Sequence, residues 1–418
     1  MTNDDSAAVN SMSSGHRRDM PVAPGDRILF LDVLRGFAVM AIFFVNIKAM
    51  LAPFAFYMNA NLWDTSLDQM IAMGQRLIVE DKWRTIFTAL YGAGLALIAA
   101  KADAAGGQAK QRLIARTLWL AAFGAFHLLL IWTGDILFVY GVVGLLALLL
   151  RNLQTKTLFW VAAGCLLLGW IWMSVFSVGS LYVPEVRTKM EAIMWGSDAK
   201  MMAEELAGLG GTWTEQLANR LESAVGYVVF GLLFGGMTPV SLGLMLMGMF
   251  LYRIGLLQGA WRPSVTLPMA LICLGGAWAL DIFQLKVIMA ANWDFAAFSK
   301  MMPLGILDGW IGALGYVALI SFVVSMGARL SPVSAVGRMA FTNYIICSLI
   351  GTTLAGGHGF GFGLFGEVGL ATMMGVVGAT MVGMLIWSPL WLSVFRFGPL
   401  EWLWRSLTYG RLQPIVRR

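Results

Sequence analysis

The chain reads as a series of long apolar runs separated by short polar or basic punctuation. About 20 apolar residues at ~1.5 Å rise cover the ~30 Å hydrocarbon core of a bilayer, so such runs read as membrane-spanning helices. Ten of them fall near 28–51, 84–101, 111–132, 134–151, 156–180, 226–256, 264–291, 303–327, 334–354 and 367–393. The second is short and glycine-bearing. The sixth is overlong and interrupted by Gly235, Gly236 and Pro239, which predicts a broken or tilted span. The expected fold is all-α, a polytopic integral membrane bundle of about ten transmembrane helices. Residues 1–26, polar and mixed in charge, read as a disordered tail and not as a cleaved leader. Residues 27–395 form the bundle, with long outer loops at 52–83 and 181–225, and 396–418 are an amphipathic basic segment.

Composition agrees with the pattern. Of 418 residues, 59% are hydrophobic and 12% charged, about half the charged share of a soluble domain. The net charge of +6 comes from bases scattered at helix ends, which excludes a nucleic-acid footprint and points to topology and lipid contact. With the N-terminus inside, every short basic connection falls on one face of the membrane. The acidic loops 52–83 and 181–225, the latter with seven Asp or Glu residues, fall on the other. The positive-inside rule therefore predicts N-in and C-in. Cys165, Cys273 and Cys347 each sit in an apolar run, and no residues show metal-ligand spacing, so no metal is expected.

Candidate chemistry lies where charges enter these runs. Asp32 and Arg35 stand three apart at the start of the first helix, close enough to pair across one turn. They are either a self-neutralised pair at the headgroups or part of a polar pocket facing the bundle. Glu80, Asp81, Lys82 and Arg84 cluster at the mouth of the second helix, where a solvated helix start is the simplest reading. His127, near the outer end of the third helix, is followed by Asp135 eight positions on. A carboxylate beside an imidazole is the arrangement a general base needs. On a straight helix, however, that spacing separates the two by roughly 12 Å, so a direct bond requires Trp132–Thr133–Gly134 to fold back. The alternatives are a histidine bonded to a backbone carbonyl and an aspartate capping the fourth helix. His358 lies in a glycine-rich outer loop and reads as incidental. Asp281 is an intramembrane carboxylate with no helical partner, Lys286 being five positions away. Arg338, Thr342, Asn343 and Tyr344 gather at the inner start of the ninth helix, where Arg338 and Arg35 would meet anionic groups. The C-terminal segment, with Trp402, Trp404 and Arg405, reads as an interfacial anchor, with a nucleotide contact as the other reading.

LDVLRGFAVMAIFFVNI, KWRTIFTALYGAGLALI, HLLLIWTGDILFVYG, GRMAFTNYI and FGPLEWLWRSLTYG, in order from Arg27 to Gly410, resemble the YeiB-like family of bacterial membrane proteins, a domain of unknown function (418). The opening Asp32-x-x-Arg35-Gly36 is also similar to that of transmembrane acyltransferases: the heparan-α-glucosaminide N-acetyltransferase family and acyltransferase family three. Where the latter has a histidine, this chain has Asn46, as the heparan group does, and no histidine stands between Ile47 and Arg84. The resemblance implies an acyltransferase of the bacterial cytoplasmic (inner) membrane. It would move an acyl group from acetyl-CoA or another acyl-CoA, bound near Arg35 and Arg338, to a small or cell-envelope acceptor. His127 would then be the base, Asp135 its partner, and Asn46 the holder of the acyl oxygen. Two other readings stay open: a transporter or exporter of a small metabolite, and a non-catalytic scaffold or sensor. A homo-oligomer is compatible with each.

Overall fold

The computed structural model describes residues 29–104, 109–210, 213–328, 330–356 and 361–417. The tail predicted over 1–26 and His358 lie outside the described residues. What is described is almost entirely helical, with a single antiparallel bridge between Phe395 and Val416 as its one β-type pairing.

The centre of the bundle is α1 (Leu29–Leu51). Its stretch 36–45 is apolar all round, as a helix buried on every side must be, and it packs against α4 (Lys82–Ala104), α14 (Ser331–Arg338), α15 (Ala340–Ala355) and α16 (Leu370–Val394). Between α1 and α4 run α2 (Phe54–Met58), a 3-10 turn and α3 (Ser66–Ile78). Thr65 caps α3 by accepting from the Asp68 amide. The order continues with α5 (Ala109–Leu130), α6 (Leu137–Leu150) and α7 (Thr155–Gly179). The second long loop folds into α8 (Pro184–Trp195), α9 (Ala199–Gly210) and α10 (Trp213–Gly226).

The predicted break in the sixth span is real and has a local cause. Residues Tyr227–Phe234 form a π-helix, and Gly236, at φ 76°, starts α11 (Met237–Arg253). A backbone at positive φ favours glycine because no Cβ clashes there. Then come α12 (Pro263–Ala290), α13 (Phe295–Ser325), the α14–α15 pair, α16 and the amphipathic α17 (Pro399–Tyr409).

Among the described residues, seven stretches are long and apolar enough to cross a membrane, and eight if the α14–α15 pair, bent by 80°, counts as one. This makes the chain a multi-pass membrane protein. The remainder of the expected ten are α6 and α11, with 14 and 17 residues. At 1.5 Å per residue α6 falls short of a full crossing, while α11 is at the lower limit of spanning length. The outer ring follows lipid logic: α7 turns Trp160, Leu167, Leu168, Ile171, Val175 and Phe176 outward.

Two of the helix pairs that meet backbone to backbone border the cavity described below. A Cβ on Gly337 would lie 1.8 Å from the Asp32 carbonyl oxygen, and one on Gly36 2.0 Å from that of Val333. The α1 and α14 backbones therefore touch. In the same way, a Cβ on Gly124 would meet the Phe138 amide at 2.0 Å and one on Gly141 the Ala121 Cα at 2.5 Å. Small residues at both positions let α5 and α6 close on each other, the usual device of membrane helices.

Candidate functional site

The α1–α14 contact carries Asp32, Arg35 and Arg338 to one end of the bundle, where α17 folds against α5. There they line a cavity of about 260 Å³ together with Arg116, Glu401 and Arg405. Arg35 Nη1 lies 3.0 Å from Asp32 Oδ1, so the two do pair. Arg35 also reaches across toward Gly94 of α4, where a Cβ would sit 3.4 Å from its Nη2. Arg116 lies over the Trp404 ring at 3.5 Å, and the Trp404 indole N–H donates to the Arg116 carbonyl at 2.8 Å. Arg405 lies over Phe397 at 4.4 Å. Thus Trp404 is a structural dock for α17, and Arg405 is part of the cavity.

Glu401 is bound at the N-terminus of α15, whose unpaired amides attract a carboxylate. It accepts from the Phe341 amide (2.7 Å), the Thr342 amide (3.0 Å) and the Thr342 hydroxyl (2.5 Å). Burial pushes its carboxyl above the usual range, with these hydrogen bonds pulling the other way. Around the cavity four guanidinium groups (Arg35, Arg116, Arg338, Arg405) face two carboxylates (Asp32, Glu401), a formal surplus of two positive charges.

From this arginine end the cavity runs along α4, past Tyr91 and Phe87, to an aromatic end formed by Leu137, Tyr140 and Tyr344. Directly behind Tyr344 is His127, the two rings 5.3 Å apart. The fold-back required by sequence spacing takes place here. Trp132 and Ile131 both direct their amides at the His127 carbonyl (2.9 Å), and Gly134 leaves room for the Trp132 ring, which a Cβ would meet at 2.3 Å. With α5 and α6 in backbone contact, His127 Nδ1 lies 2.8 Å from Asp135 Oδ1, both side chains fully buried. Asp135 Oδ2 accepts from the Phe138 amide at 2.5 Å, and its carbonyl accepts from Tyr227 at 2.7 Å. A carboxylate can only accept, so Nδ1 carries the proton, and in the neutral imidazole Nε2 then holds the lone pair. That Nε2 is buried and has no hydrogen-bond partner among the described residues.

The remaining predicted residues fall elsewhere. Asn343, fully buried, donates to the Val336 carbonyl and Ser388 (both 3.1 Å) and accepts from Trp387 (3.0 Å). It ties α15 to α14 and α16 and does not line the cavity. Asn46 is half-buried on the far half of α1, eleven residues beyond Arg35, and is also outside the lining. Arg84 pairs with Asp81 at 2.5 Å at the start of α4, each about half exposed.

Sequence reasoning missed Arg116, and it missed a buried ion network at the opposite end from the arginines. Lys82, expected at a solvated helix start, is fully buried. Its Nζ lies 2.9 Å from Asp281, 3.5 Å from Asp308 and 3.0 Å from the Arg76 carbonyl. Gln284 donates to Asp308 at 2.6 Å and accepts from Arg76 at 3.0 Å. Two lone carboxylates in apolar runs, Asp281 and Asp308, were the available signal, since each demands a cation from another helix. Among the described residues no group of side chains could hold a metal ion.

The comparisons with known proteins agree with the resemblance in the sequence. Residues 251–411 match the family described as "Protein of unknown function (DUF418)". "Uncharacterized protein YxaH" of Bacillus subtilis is 29% identical over 417 residues, 95% of this chain and 98% of its own. "Uncharacterized protein YeiB" of Escherichia coli is 29% identical over 403 residues, covering 94% and 99% respectively. A Bacillus acidopullulyticus protein, "Uncharacterized 39.9 kDa protein in amylase 3'region", is 29% identical over 405 residues. No solved structure matches. The matches run almost end to end in both partners, so the chain is similar over nearly its whole length to YeiB and YxaH, and its residues 251–411 match the DUF418 family.

Proposed function

We propose that the protein is a membrane-embedded acyltransferase that takes an acyl group from a cytoplasmic acyl-coenzyme A and passes it to a small or cell-envelope acceptor. One observation carries this reading: an Asp-oriented histidine with an unpartnered lone pair lies directly behind the aromatic end of an arginine-lined cavity. Bacterial relatives and the basic loops support the location: the bacterial inner membrane, both termini inside, the arginine end cytoplasmic.

The size of the cavity decides how a donor would sit. At about 260 Å³ it is at the lower edge of pockets that enclose a whole small ligand, roughly 300–1,000 Å³. It suits a slender thioester arm, with the phosphates held at the mouth by Arg338 and Arg405. His127 Nε2 would take the proton of the acceptor hydroxyl or amine as that atom bonds to the thioester carbonyl carbon. The carbon–sulfur bond then breaks, its electron pair leaves on sulfur, and the proton on Nε2 passes to that thiolate. Asp135 holds the imidazole in one tautomer and steadies its charged form throughout.

The test is a titration of the detergent-purified protein with coenzyme A and acetyl-CoA. Affinity should fall at least tenfold in Arg338→Ala and should weaken as salt rises. Asp135→Asn should bind as the parent does yet lose up to about 10⁴-fold in turnover, because an amide can stabilise the wrong tautomer. No affinity for either thiol compound would sink the reading. The buried network around Lys82 favours a solute transporter as the second reading; solute uptake into vesicles without thioester binding would establish it.

A further inference from the structure

A buried polar atom without a partner is costly to keep, and two such atoms belong to neighbouring rings at the aromatic end of the cavity, Tyr344 lining it and His127 behind. One is His127 Nε2. The other is the Tyr344 hydroxyl, which has no hydrogen-bond partner in good geometry. Its proton therefore has no acceptor among the described residues.

Tyr140 differs in having a partner for its hydroxyl. The Thr88 hydroxyl donates to the Arg84 carbonyl at 2.8 Å and lies 2.6 Å from the Tyr140 hydroxyl. Thr88 has then used its one proton, so Tyr140 must donate to Thr88. The Tyr91 hydroxyl, beside Gly144, is also buried without a hydrogen-bond partner among the described residues, but its ring stacks on that of Tyr140 at 5.5 Å. Only Tyr344, of the three that line the cavity, combines an unused proton with a ring 5.3 Å from that of His127. Its direction is fixed from the next residue: Asn343, bonded to α14 and α16, locks the rotation of α15.

We propose that Tyr344 is a catalytic residue, its O–H donating a hydrogen bond to the carbonyl oxygen of an acyl thioester lodged at the aromatic end of the cavity. The inference rests on the acyl-transfer reading and corrects it at one point. The acyl oxygen is held by Tyr344 of α15 and not by Asn46, which is off the cavity. When the acceptor attacks, the carbonyl π pair moves onto that oxygen. The oxyanion receives a stronger hydrogen bond from Tyr344, whose proton is not transferred. The pair returns as the carbon–sulfur bond breaks. Base and oxyanion donor then come from different helices, α5 and α15, and both converge on the thioester carbon.

The test uses the full chain in detergent and acetyl-CoA labelled with ¹³C at the thioester carbonyl. Infrared difference spectra at saturating acetyl-CoA should show the bound carbonyl stretch lowered in the parent protein and returned upward in Tyr344→Phe. Incorporating 3-fluorotyrosine at 344, a more acidic phenol, should lower the stretch further than the parent. Release of coenzyme A by membranes holding Tyr344→Phe should fall by about 10²-fold, the usual effect of losing one oxyanion donor. If labelled acetyl-CoA binds but its stretch is the same in parent and Tyr344→Phe, the role of Tyr344 is overturned while acyl transfer stands. If the parent protein does not bind acetyl-CoA, both fall together. A Tyr344→Phe protein that no longer folds shifts the decision to the fluorotyrosine spectrum: no further lowering there also overturns the role.

Discussion

Replacing Lys82 with methionine removes one ammonium from between two carboxylates that have no access to water. Lys82, Asp281 and Asp308 are respectively 0%, 1% and 2% exposed. At separations of 2.9 and 3.5 Å and an effective dielectric of ~20, the two attractions are about 6 and 5 kcal/mol. They are opposed by lost hydration of several kcal/mol per ion, and by repulsion between the two aspartates. The intact network is therefore close to balanced, with Arg76 and Lys82 matching Asp281 and Asp308 in charge. Deleting one partner ends that balance. Arg76, 4.0 Å from Asp281, then faces two buried anions, and the expected loss is about 3–5 kcal/mol.

The measurement is a reversible SDS titration of the protein in mixed micelles, followed by tryptophan fluorescence. The decisive comparison is with Lys82→Met/Asp308→Asn. That pair restores neutrality, and an asparagine at 308 can still accept the Gln284 amide now bonded at 2.6 Å. The double variant should recover at least half of the single variant's loss. Were Lys82→Met as stable as the parent within about 1 kcal/mol, or the double variant no better than the single, the argument from buried charge would be refuted.

Packing and burial give two more expected outcomes. Gly337→Ala places a methyl 1.8 Å from the Asp32 carbonyl, so α1 and α14 must part. The cost should be at least the ~1–3 kcal/mol of an overpacked core, with coenzyme A affinity falling too, and an unchanged SDS midpoint would contradict it. Burial raises the Glu401 carboxyl above its usual range, so the folded state holds that proton more tightly than the unfolded one does. This contribution favours folding at low pH and is lost as pH rises from about 4.3 through the raised value. Glu401→Gln should thus match the parent in thermal midpoint near pH 4 and equal or exceed it at pH 7. A larger deficit at pH 7 than at pH 4 would reverse the sign.

Legibility in the sequence followed the range of the interaction. The apolar runs encode helix length directly, so the spans of α1, α5, α7, α12 and α16 were readable within a few residues, whereas α13 starts at Phe295, eight residues before the expected 303. The Asp32–Arg35 pair was readable because both partners lie on one turn. The length of α6 was not, because a short apolar helix looks like a span by hydropathy. Lys82 misled for the same reason. Its neighbours Glu80, Asp81 and Arg84 gave it the surroundings of a solvated helix start, while its true partners lie some two hundred residues away on α12 and α13.

His127 and Asp135 show what decides between legible and hidden. Their spacing alone argued against contact, since eight residues of continuous helix hold them far apart. What brings them together is carried by glycines. Gly134 makes room for the folded-back Trp132, and Gly124 and Gly141 remove the side chains that would keep α5 from α6. The same device at Gly36 and Gly337 joins Asp32 and Arg35 to Arg338. Both ends of the cavity are therefore set by backbone contact between helices, with side-chain chemistry placed one turn beyond each contact. A methyl group at any of these glycines acts on the charge of the cavity or on the histidine only through distance. For that reason, variants at Gly36, Gly124, Gly141 and Gly337 should lower thioester binding or turnover in step with stability, whereas Asp135→Asn and Tyr344→Phe should separate the two.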